Sequence, residues 1–334
     1  MDFELSEDQV DLAEGVRRLC VGKFPLERIR KAEGMPQAFS STDWVELGDA
    51  GVFGLRLSDA DGGLGMGLAD AAVVVEELGK ALVPGPIISS HLAAGLVDGA
   101  SDGKAVVGSL RLPPPADDRG RGNGRDRQYP LLVEHFGSLD SLVVIADDRV
   151  SVVEPSSIDA VAVDRSLDPL TPMWRVENIP AGETLGGGEL AANWRRDEAI
   201  LVGAYCAGLA SATVDLAVEY AKGRRQFGRA IGSFQAIKHL CADMLVRAEV
   251  ARAAVHAAAV TVDQPDVGDA ERAAAGAAML AVEAALLNSK ACVQVYGGMG
   301  FTWEVPAHLY LMRARVLGTV VRPSELSLIV ADRF

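Results

Sequence analysis

The spacing of apolar residues predicts helices at both ends of the chain. Near the start, Leu12, Val16 and Leu19 recur at helical intervals. They follow Ser6, a residue type that commonly caps a helix N-terminus. A second periodic segment covers residues 70–83 and stops before two prolines. Further long helices are predicted in the latter part of the chain, near residues 196–222, 232–263 and 269–296.

The pattern changes to short β-rich runs in the middle of the chain. Residues 105–108, 141–145 and 150–153 are apolar runs separated by turns. Residues 113–125 are rich in proline, glycine and charge, a composition that cannot bury a core and predicts a mobile loop. The chain is therefore predicted to have three domains, which are an N-terminal helical domain at 1–103, a reduced middle β-domain at 104–192 and a C-terminal helical bundle at 193–334.

Composition limits the classes of partner. The chain has 334 residues, of which 49% are hydrophobic, so it can bury a large core. Its 32 basic and 46 acidic residues give a net charge of -14, which argues against nucleic acid as a partner. The N-terminus is acidic and lacks an apolar signal core, and no uninterrupted run of about 18 apolar residues occurs. We therefore expect a cytoplasmic protein without a membrane partner.

The cysteines do not have the spacing of a metal site. Cys20, Cys206, Cys241 and Cys292 are scattered along the chain without a CxxC pair. This distribution favours reduced, buried thiols over disulfides or zinc ligands, and we expect no bound metal.

The most informative stretch runs from Gly223 to His239. A helix that ends beside Arg224 and Arg225, turns through glycines and restarts with glutamine offers guanidinium and amide donors to a phosphate-bearing cofactor. Because the chain is acidic overall, an anionic ligand needs such a local basic cluster, to which Arg229 also belongs. The segment Gln294–Phe301, which reads QVYGGMGF, echoes this motif. In the alternative interpretation, the arginines only complement the helix C-terminal dipole.

These motifs resemble those of acyl-CoA dehydrogenases, and the resemblance extends over nearly the whole chain. Residues 44–48 leading to 61–63, and residues 76–80, are weaker matches. The resemblance implies a mainly α fold with a small β-domain, in the order N-terminal helical domain, middle β-domain and C-terminal four-helix bundle. It also implies FAD-dependent α,β-dehydrogenation of an acyl-CoA thioester, with an electron-transfer flavoprotein or a similar acceptor as a partner.

In that family the flavin is shared between subunits. The resemblance therefore assigns to this chain a set of contacts with the cofactor of a neighbouring subunit. By motif position these contacts fall on Arg224, Gln226, Phe227, Gln294, Gly297 and Gly298, with Ile231 and Phe234 flanking the same cofactor.

The position of the catalytic base departs from most relatives. Many members carry a glutamate in a Tyr-Glu-Gly-Thr turn near the C-terminus, but residues 319–324 contain no carboxylate. The nearest carboxylate is Glu325, in the predicted first turn of the last helix. A glutamate at such a position commonly caps the helix or interacts with its dipole. A minority, resembling isovaleryl-CoA dehydrogenase, carry the base on the first long C-terminal helix, ten residues before a glycine. Glu198, ten residues before Gly208, fits that pattern.

Helical spacing predicts that Glu198 points inward. It shares one face with three residues spaced three and four apart, which are Leu201, Tyr205 and Leu209. The alternative is that Glu198, like its neighbour Asp197, only interacts favourably with the positive end of the helix dipole. Just upstream, Arg195 and Arg196 either reach the pantetheine or phosphates of CoA or are exposed charges.

A second departure concerns the flavin ring. Relatives hold the ring with a Thr-Glu-Pro-x-x-Gly-Ser-Asp segment and a Trp-Ile-Thr-Asn-like strand, and the corresponding residues 113–125 and 129–132 have neither. The chain resembles the shortened subunit of actinobacterial α2β2 acyl-CoA dehydrogenases that act on steroid side chains. This favours a subunit that completes the FAD site of a paralogous partner. The alternatives are a self-sufficient dehydrogenase with Glu198 as base, and a helical scaffold without flavin.

Overall fold

The protein is represented by a computed structural model that describes residues 5–35, 37–113 and 130–333. Apart from Pro113, the predicted mobile loop at 113–125 lies outside the described residues. The helices are α1 (Glu7–Lys23), α2 (Leu26–Lys31), α3 (Ser41–Asp49), α4 (Leu68–Lys80), α5 (Ile87–Ala93), α6 (Gly188–Gly223), α7 (Gln235–Asp263), α8 (Ala270–Tyr296), α9 (Ala307–Val320) and α10 (Pro323–Asp332). The strands are β1 (Val107–Arg111), β2 (Leu131–Glu134), β3 (Ser141–Ile145), β4 (Arg149–Val153), β5 (Asp159–Ala162), β6 (Met173–Glu177), β7 (Glu183–Gly187), β8 (Arg225–Gln226) and β9 (Arg229–Ala230). The prediction of a mainly α fold with a small β-domain is confirmed.

The chain forms two compact units. The first comprises Met1–Glu33, Leu55–Pro84 and Arg196–Phe334, and the second comprises Gly34–Gly54 and Gly85–Arg195. The helix that the sequence predicts near residue 196 begins earlier, at Gly188, so the boundary falls inside α6. The division into domains at 1–103, 104–192 and 193–334 stays a prediction.

The second unit contains two small sheets. The four-stranded sheet has the order β1-β3-β4-β7, with β1 parallel to β3 and the other pairs antiparallel. The three-stranded sheet, β2-β6-β5, is antiparallel. Because successive side chains of a strand point to opposite faces, Val143 packs in one cluster with Trp194, and Val144 packs in another with Val176 of the three-stranded sheet.

In the first unit, α4 and α6 cross at very close range. A Cβ atom added at Gly208 would lie 2.1 Å from the carbonyl oxygen of Glu76. A Cβ atom added at Gly79 would lie 2.3 Å from the carbonyl oxygen of Tyr205. Both distances are far below van der Waals contact, so each helix needs glycine at the crossing.

A series of ion pairs surrounds this crossing. Glu77 of α4 accepts hydrogen bonds from Nε and Nη2 of Arg17, at 3.1 and 3.0 Å. Lys80 lies 2.9 Å from Glu76 and 2.8 Å from Glu77, and His256 Nε2 lies 3.0 Å from Glu76. Burial alone would raise the pKa of Glu76, but the hydrogen bond with His256 and the charge of Lys80 hold that pKa below its usual value. The pairs connect α4 to α1 and α7.

Buried polar side chains satisfy the backbone where α4 ends. The hydroxyl of Tyr205 donates to the carbonyl oxygen of Val83 at 2.8 Å, and Arg313 Nη1 donates to that hydroxyl at 2.7 Å. The hydroxyl of Tyr310 donates to the carbonyl oxygen of Lys80 at 3.0 Å. The last carbonyl groups of a helix have no hydrogen-bond donor within the helix. Here side chains of α6 and α9 provide the donors.

Among the residues that the structure describes, two helices are long and apolar enough to cross a membrane by length and composition alone. They are Gly188–Gly223 and Ala270–Phe301, and in their most apolar windows 83% and 61% of the residues are buried within the protein. Helices in the core of a folded protein have the same composition, so length and hydropathy are weak evidence for a membrane span here.

We expect Gly208→Ala to destabilise the protein by about 1–3 kcal/mol, because overpacking at a crossing this close forces the backbones apart. Gly276→Ala is the matched control. A Cβ at Gly276, inside α8, meets no atom within 4 Å, so alanine there should stabilise by about 0.5–1 kcal/mol. Urea unfolding of both variants measures the difference. Equal stability of the two would show that the crossing tolerates a side chain.

Candidate cofactor site

The predicted donor segment forms a β-hairpin between two long helices. α6 ends at Gly223, strands β8 and β9 pair antiparallel, and α7 begins at Gln235, the restart that the sequence predicts. The two turn residues, Phe227 and Gly228, have φ angles of 52° and 79°. Positive φ at both central residues defines the tight hairpin turn that matches the twist of its strands.

Phe227 is strained and almost fully exposed. A bulky residue with positive φ is an outlier, and the left-handed conformation costs about 1–2 kcal/mol. Its side chain is 91% exposed, and the ring contact that it forms in this chain is an edge contact with Phe234 at 6.1 Å between centroids. An aromatic side chain held outward at a cost to its own chain suits contact with a ligand or a second chain.

The hairpin presents three guanidinium groups to solvent. Arg224, Arg225 and Arg229 are all exposed. Arg225 donates to the carbonyl oxygen of Gly228 at 3.2 Å, and the Arg229 guanidinium stacks over the ring of Phe234 at 4.0 Å. Within the described residues the side chain of Arg224 forms no ion pair. The local basic cluster that the sequence predicts therefore exists on the surface, and the role of Arg224 stays a prediction.

A tyrosine stack brings the second predicted segment to the same place. Tyr220 of α6 and Tyr296 of α8 stack with centroids 4.1 Å apart and rings 18° from parallel. The backbone N–H of Arg224 donates to the carbonyl oxygen of Tyr220 at 2.8 Å, and Gly297 directly follows Tyr296. Burial raises the pKa of Tyr296 to about 12, so its hydroxyl is uncharged at pH 7. Sequence reasoning assigned no role to either tyrosine, although Tyr296 belongs to the second motif and Tyr220 lies within one helical turn of the first.

The last turn of α8 and the segment after it are open to solvent. Gln294, Gly297 and Gly298 are exposed, and a Cβ added at either glycine meets no atom within 4 Å. Phe301 and Trp303, just beyond, are 83% and 59% exposed. In the part of the chain that the structure describes, the large exposed aromatic side chains are Phe227 and Phe301, which belong to these two segments, and Trp303, which lies two residues beyond the second. Exposed aromatic side chains of this size are typical of a surface that another molecule covers.

A cavity of about 510 Å³ opens beside the hairpin. Its lining is mainly apolar with two lysines, and consists of Val218, Ala221, Lys222, Ala230, Gly232, Ile237, Lys238 and Cys241. Ile231 and Phe234, which were predicted to flank the cofactor, are half-buried and do not line it, but their neighbours Ala230 and Gly232 do. Cys241 is only half-buried, so the expectation of four buried thiols was wrong for this one. The volume suits a small ligand.

Glu198 lies far from the hairpin. Its carboxylate is buried and shares its inward face with buried Leu201, as the helical spacing predicts. The helix rises about 1.5 Å per residue, so Glu198 is ~38 Å from the helix end at Gly223. The structure therefore does not bring the predicted base together with the predicted cofactor residues of the same chain.

Several charged residues near Glu198 pair within the chain. Asp197 accepts hydrogen bonds from Arg56 at 2.9 Å and from Nη2 of Arg196 at 2.8 Å. Arg195 donates to the carbonyl oxygen of Ala146 at 3.1 Å. Neither Arg195 nor Arg196 is an exposed charge, which corrects that expectation, because both are held by acceptors that sequence spacing does not reveal.

Glu325 occupies a position typical of a helix N-terminus. It lies in the first turn of α10 and pairs with Arg322 at 3.1 Å. Negative charge in the first turn of a helix is stabilising. This arrangement favours a structural role for Glu325 over that of a base.

Comparison with protein families gives two matches that together cover most of the chain. Residues 6–102 match the model described as Acyl-CoA dehydrogenase, N-terminal domain. Residues 187–325 match the model described as Acyl-CoA dehydrogenase, C-terminal domain, which includes α6, the hairpin and the segment after α8.

Two curated relatives are similar in sequence. The chain is 36% identical to acyl-CoA dehydrogenase FadE34 of Mycobacterium tuberculosis over 280 residues, which are 81% of this chain and 39% of that protein. This chain thus spans well under half of FadE34. It is 33% identical to acyl-CoA dehydrogenase IpdE2 of Mycolicibacterium smegmatis over 325 residues, which are 96% of each chain.

Solved structures share the fold. A chain of the ChsE4-ChsE5 complex from Mycobacterium tuberculosis superposes with a TM-score of 0.84 at 24% identity, covering 100% of this chain and 98% of that one. A chain of the Tcur3481-Tcur3483 steroid ACAD superposes with a TM-score of 0.80 at 21% identity, covering 98% and 97%. At these identities the superpositions show the fold alone.

We expect Phe227→Asn to raise the stability of the isolated chain by about 1 kcal/mol. Asparagine tolerates positive φ and suits this turn, and little buried surface is lost. Phe227→Ala is the control, because alanine removes the ring without relieving the backbone strain. Thermal unfolding compares the three proteins. Destabilisation by asparagine and alanine alike would mean that the ring stabilises its own chain.

Proposed function

The chain belongs to the acyl-CoA dehydrogenase family, and on this basis we propose that it is a subunit of an FAD-dependent enzyme whose cofactor site is completed across a subunit interface. The reaction is the α,β-dehydrogenation of an acyl-CoA thioester. In the assembly, an α2β2 tetramer, this chain lends its exposed hairpin to the cofactor of a paralogous subunit.

FAD is the cofactor of the family, and exposed groups of this chain fit its phosphate-bearing end. The guanidinium groups of Arg224 and Arg225 match the geometry of phosphate oxygens, and Arg229 adds a third positive charge. The exposed amides of Gln226 and Gln294 add hydrogen-bonding groups beside the open glycines. When bound, FAD supplies the acceptor for the hydride that leaves the substrate.

The observation that carries the proposal is the ~38 Å between Glu198 and the end of α6 at Gly223. This separation exceeds the length of an extended FAD molecule. One FAD molecule therefore cannot contact both Glu198 and Arg224 of this chain. The hairpin accordingly contributes to a site whose reactive end lies in another chain.

An exposed apolar stripe on α7 supports a protein partner on this side. Leu245, Val246 and Val250 are exposed, and Ala242 extends the stripe toward the hairpin at a spacing of one helical turn. The buried residues of α7, such as Met244, lie on its other side. Because the stripe continues from the hairpin along the same helix, one partner surface covers both.

A paralogous partner accounts for the departures in the sequence better than a second copy does. The chain lacks the segments that hold the flavin ring in its relatives and retains the donor residues, so a second copy would lack the same segments. The ChsE4-ChsE5 structure is a complex of two differently named proteins, and the Tcur3481-Tcur3483 protein is described as a steroid ACAD. The resemblance of the sequence to subunits that act on steroid side chains favours a bulky, steroid-type acyl group as substrate. We further propose a cytoplasmic enzyme that passes electrons to an electron-transferring flavoprotein or a similar acceptor.

A self-sufficient dehydrogenase is the second candidate, and the burial of Glu198 favours it. A carboxylate on an inward face can remove the α-proton of a thioester held beside it. The neighbouring carboxylate, Asp197, accepts hydrogen bonds from two arginines. Asp197 is therefore a poorer candidate for the base than Glu198. In the first candidate, Glu198 is a residue without this role.

Co-expression with a paralogous dehydrogenase tests the assembly. We expect the chain alone to be nearly colourless, and the co-expressed pair to form a yellow hetero-oligomer with fewer than one FAD per chain. Absorbance at the flavin band and solution mass measure both properties. A yellow homotetramer with one FAD per chain would refute the hetero-oligomer and favour the second candidate.

Substitution of Arg224 tests the donor role in the assembled enzyme. We expect Arg224→Ala to lower FAD affinity by about tenfold or more, because charge-assisted hydrogen bonds contribute about 1.5–3 kcal/mol. Arg165→Ala, at an exposed arginine far from the hairpin in sequence, should leave FAD affinity unchanged. Titration at limiting FAD measures the difference, and equal affinity of the two variants would exclude the phosphate contact.

Substitution of Glu198 distinguishes the two candidates. If Glu198 is the base, Glu198→Gln should lower turnover by about 10²–10⁴-fold while the flavin spectrum stays intact. Glu189→Gln, in the exposed first turn of the same helix, is the matched control. Full activity of Glu198→Gln would exclude Glu198 as the base and favour the first candidate.

A further inference from the structure

A separate cavity of about 530 Å³ opens in the first unit between α1, α4, α6 and α9. Most of its wall is apolar and includes Val21, Phe24, Leu216 and Tyr310. It shares no lining residue with the cavity beside the hairpin, and it contains none of the residues assigned to FAD. Its volume lies in the range of small-molecule sites.

Part of the cavity wall is apolar surface that the chain leaves uncovered. Val21 is 72% exposed, although it lies beside buried Cys20 and Phe24. Tyr310, which is buried, lines the cavity from α9. An apolar group of a ligand would remove the Val21 side chain from water.

The positive charges of the cavity are already neutralised. Arg17 and Lys80 both pair with Glu77, and Lys80 also pairs with Glu76. Burial raises the pKa of the Cys20 thiol to about 12, so it is uncharged at pH 7. Both positive groups of the described lining, Arg17 and Lys80, therefore already have a carboxylate partner.

Two carboxylates of the lining have no counter-charge. Asp215 and Glu219 lie one turn apart on α6 and are exposed at the cavity. Within the described residues, neither side chain takes part in an ion pair or a hydrogen bond with another residue. Residues four apart on a helix are neighbours, so both carboxylates can contact the same group.

We propose that this cavity binds a small organic cation, whose apolar body contacts the wall formed by Phe24 and Leu216 and whose ammonium group lies between Asp215 and Glu219. The surplus of negative charge at the site, together with the net charge of -14, disfavours anions such as free fatty acids. The site is independent of the proposed dehydrogenase function.

Calorimetric titration of the full chain with n-octyltrimethylammonium, below its micelle concentration, tests the proposal. We expect saturable binding at one site per chain. Octanoate and octanol, which have similar apolar bodies but carry a negative charge or none, should bind at least about tenfold more weakly. Equal binding of octanol would contradict the cation site, as would the absence of saturable binding of the cation.

Exposed side chains provide variants that should leave the fold intact. The double variant Asp215→Asn with Glu219→Gln should weaken binding of the cation by about tenfold or more. Glu283→Gln, at an exposed carboxylate of α8, removes the same kind of charge outside the cavity and should not change the affinity. Unchanged affinity in the double variant would locate the binding elsewhere and overturn the proposal. FAD content is unaffected in either outcome, so this test does not depend on that of the enzyme.

Discussion

The close crossing of α4 and α6 is the constraint on which the first unit depends. Gly79 and Gly208 let the two backbones approach to distances that no side chain permits. The carboxylate of Glu76, beside the crossing, is thereby removed from water and needs partners from other helices. His256 is one such partner, while Arg17 of α1 pairs with the next residue of α4. Close packing at the crossing thus makes ion pairs necessary for the buried carboxylates. The crossing and the ion pairs together hold α1, α4 and α7 around α6.

Local sequence signals predicted the long helices and the turn between α6 and α7, but not the two short strands that make this turn a hairpin. Ser6 caps α1, and glycines and arginines mark the turn before α7. The short strands β5, β6 and β7 were missed because they are partly exposed, which weakens the alternation of apolar and polar residues on which strand prediction relies. β2 was missed for the same reason.

The candidate site was only partly predictable, because much of it depends on contacts between distant residues. Glu198 was correctly expected to face inward, since helical spacing alone determines that. The stack of Tyr220 on Tyr296 joins two different helices, and no local pattern predicts such a contact. The same holds for Arg56, which reaches Asp197 from a distant part of the sequence. The chemistry of the donors could be read from the sequence, but the scaffold that brings them together could not.

The length of α6 fixes the distances between the functional and structural positions along it. One continuous helix holds Glu198, the crossing at Gly208 and the hairpin that begins beyond Gly223. Inserting or deleting a single residue between these points would turn everything beyond it by about 100° about the helix axis. Evolutionary change in this stretch can therefore proceed through substitutions, whereas changes of length are tolerated only in the connections outside the helix.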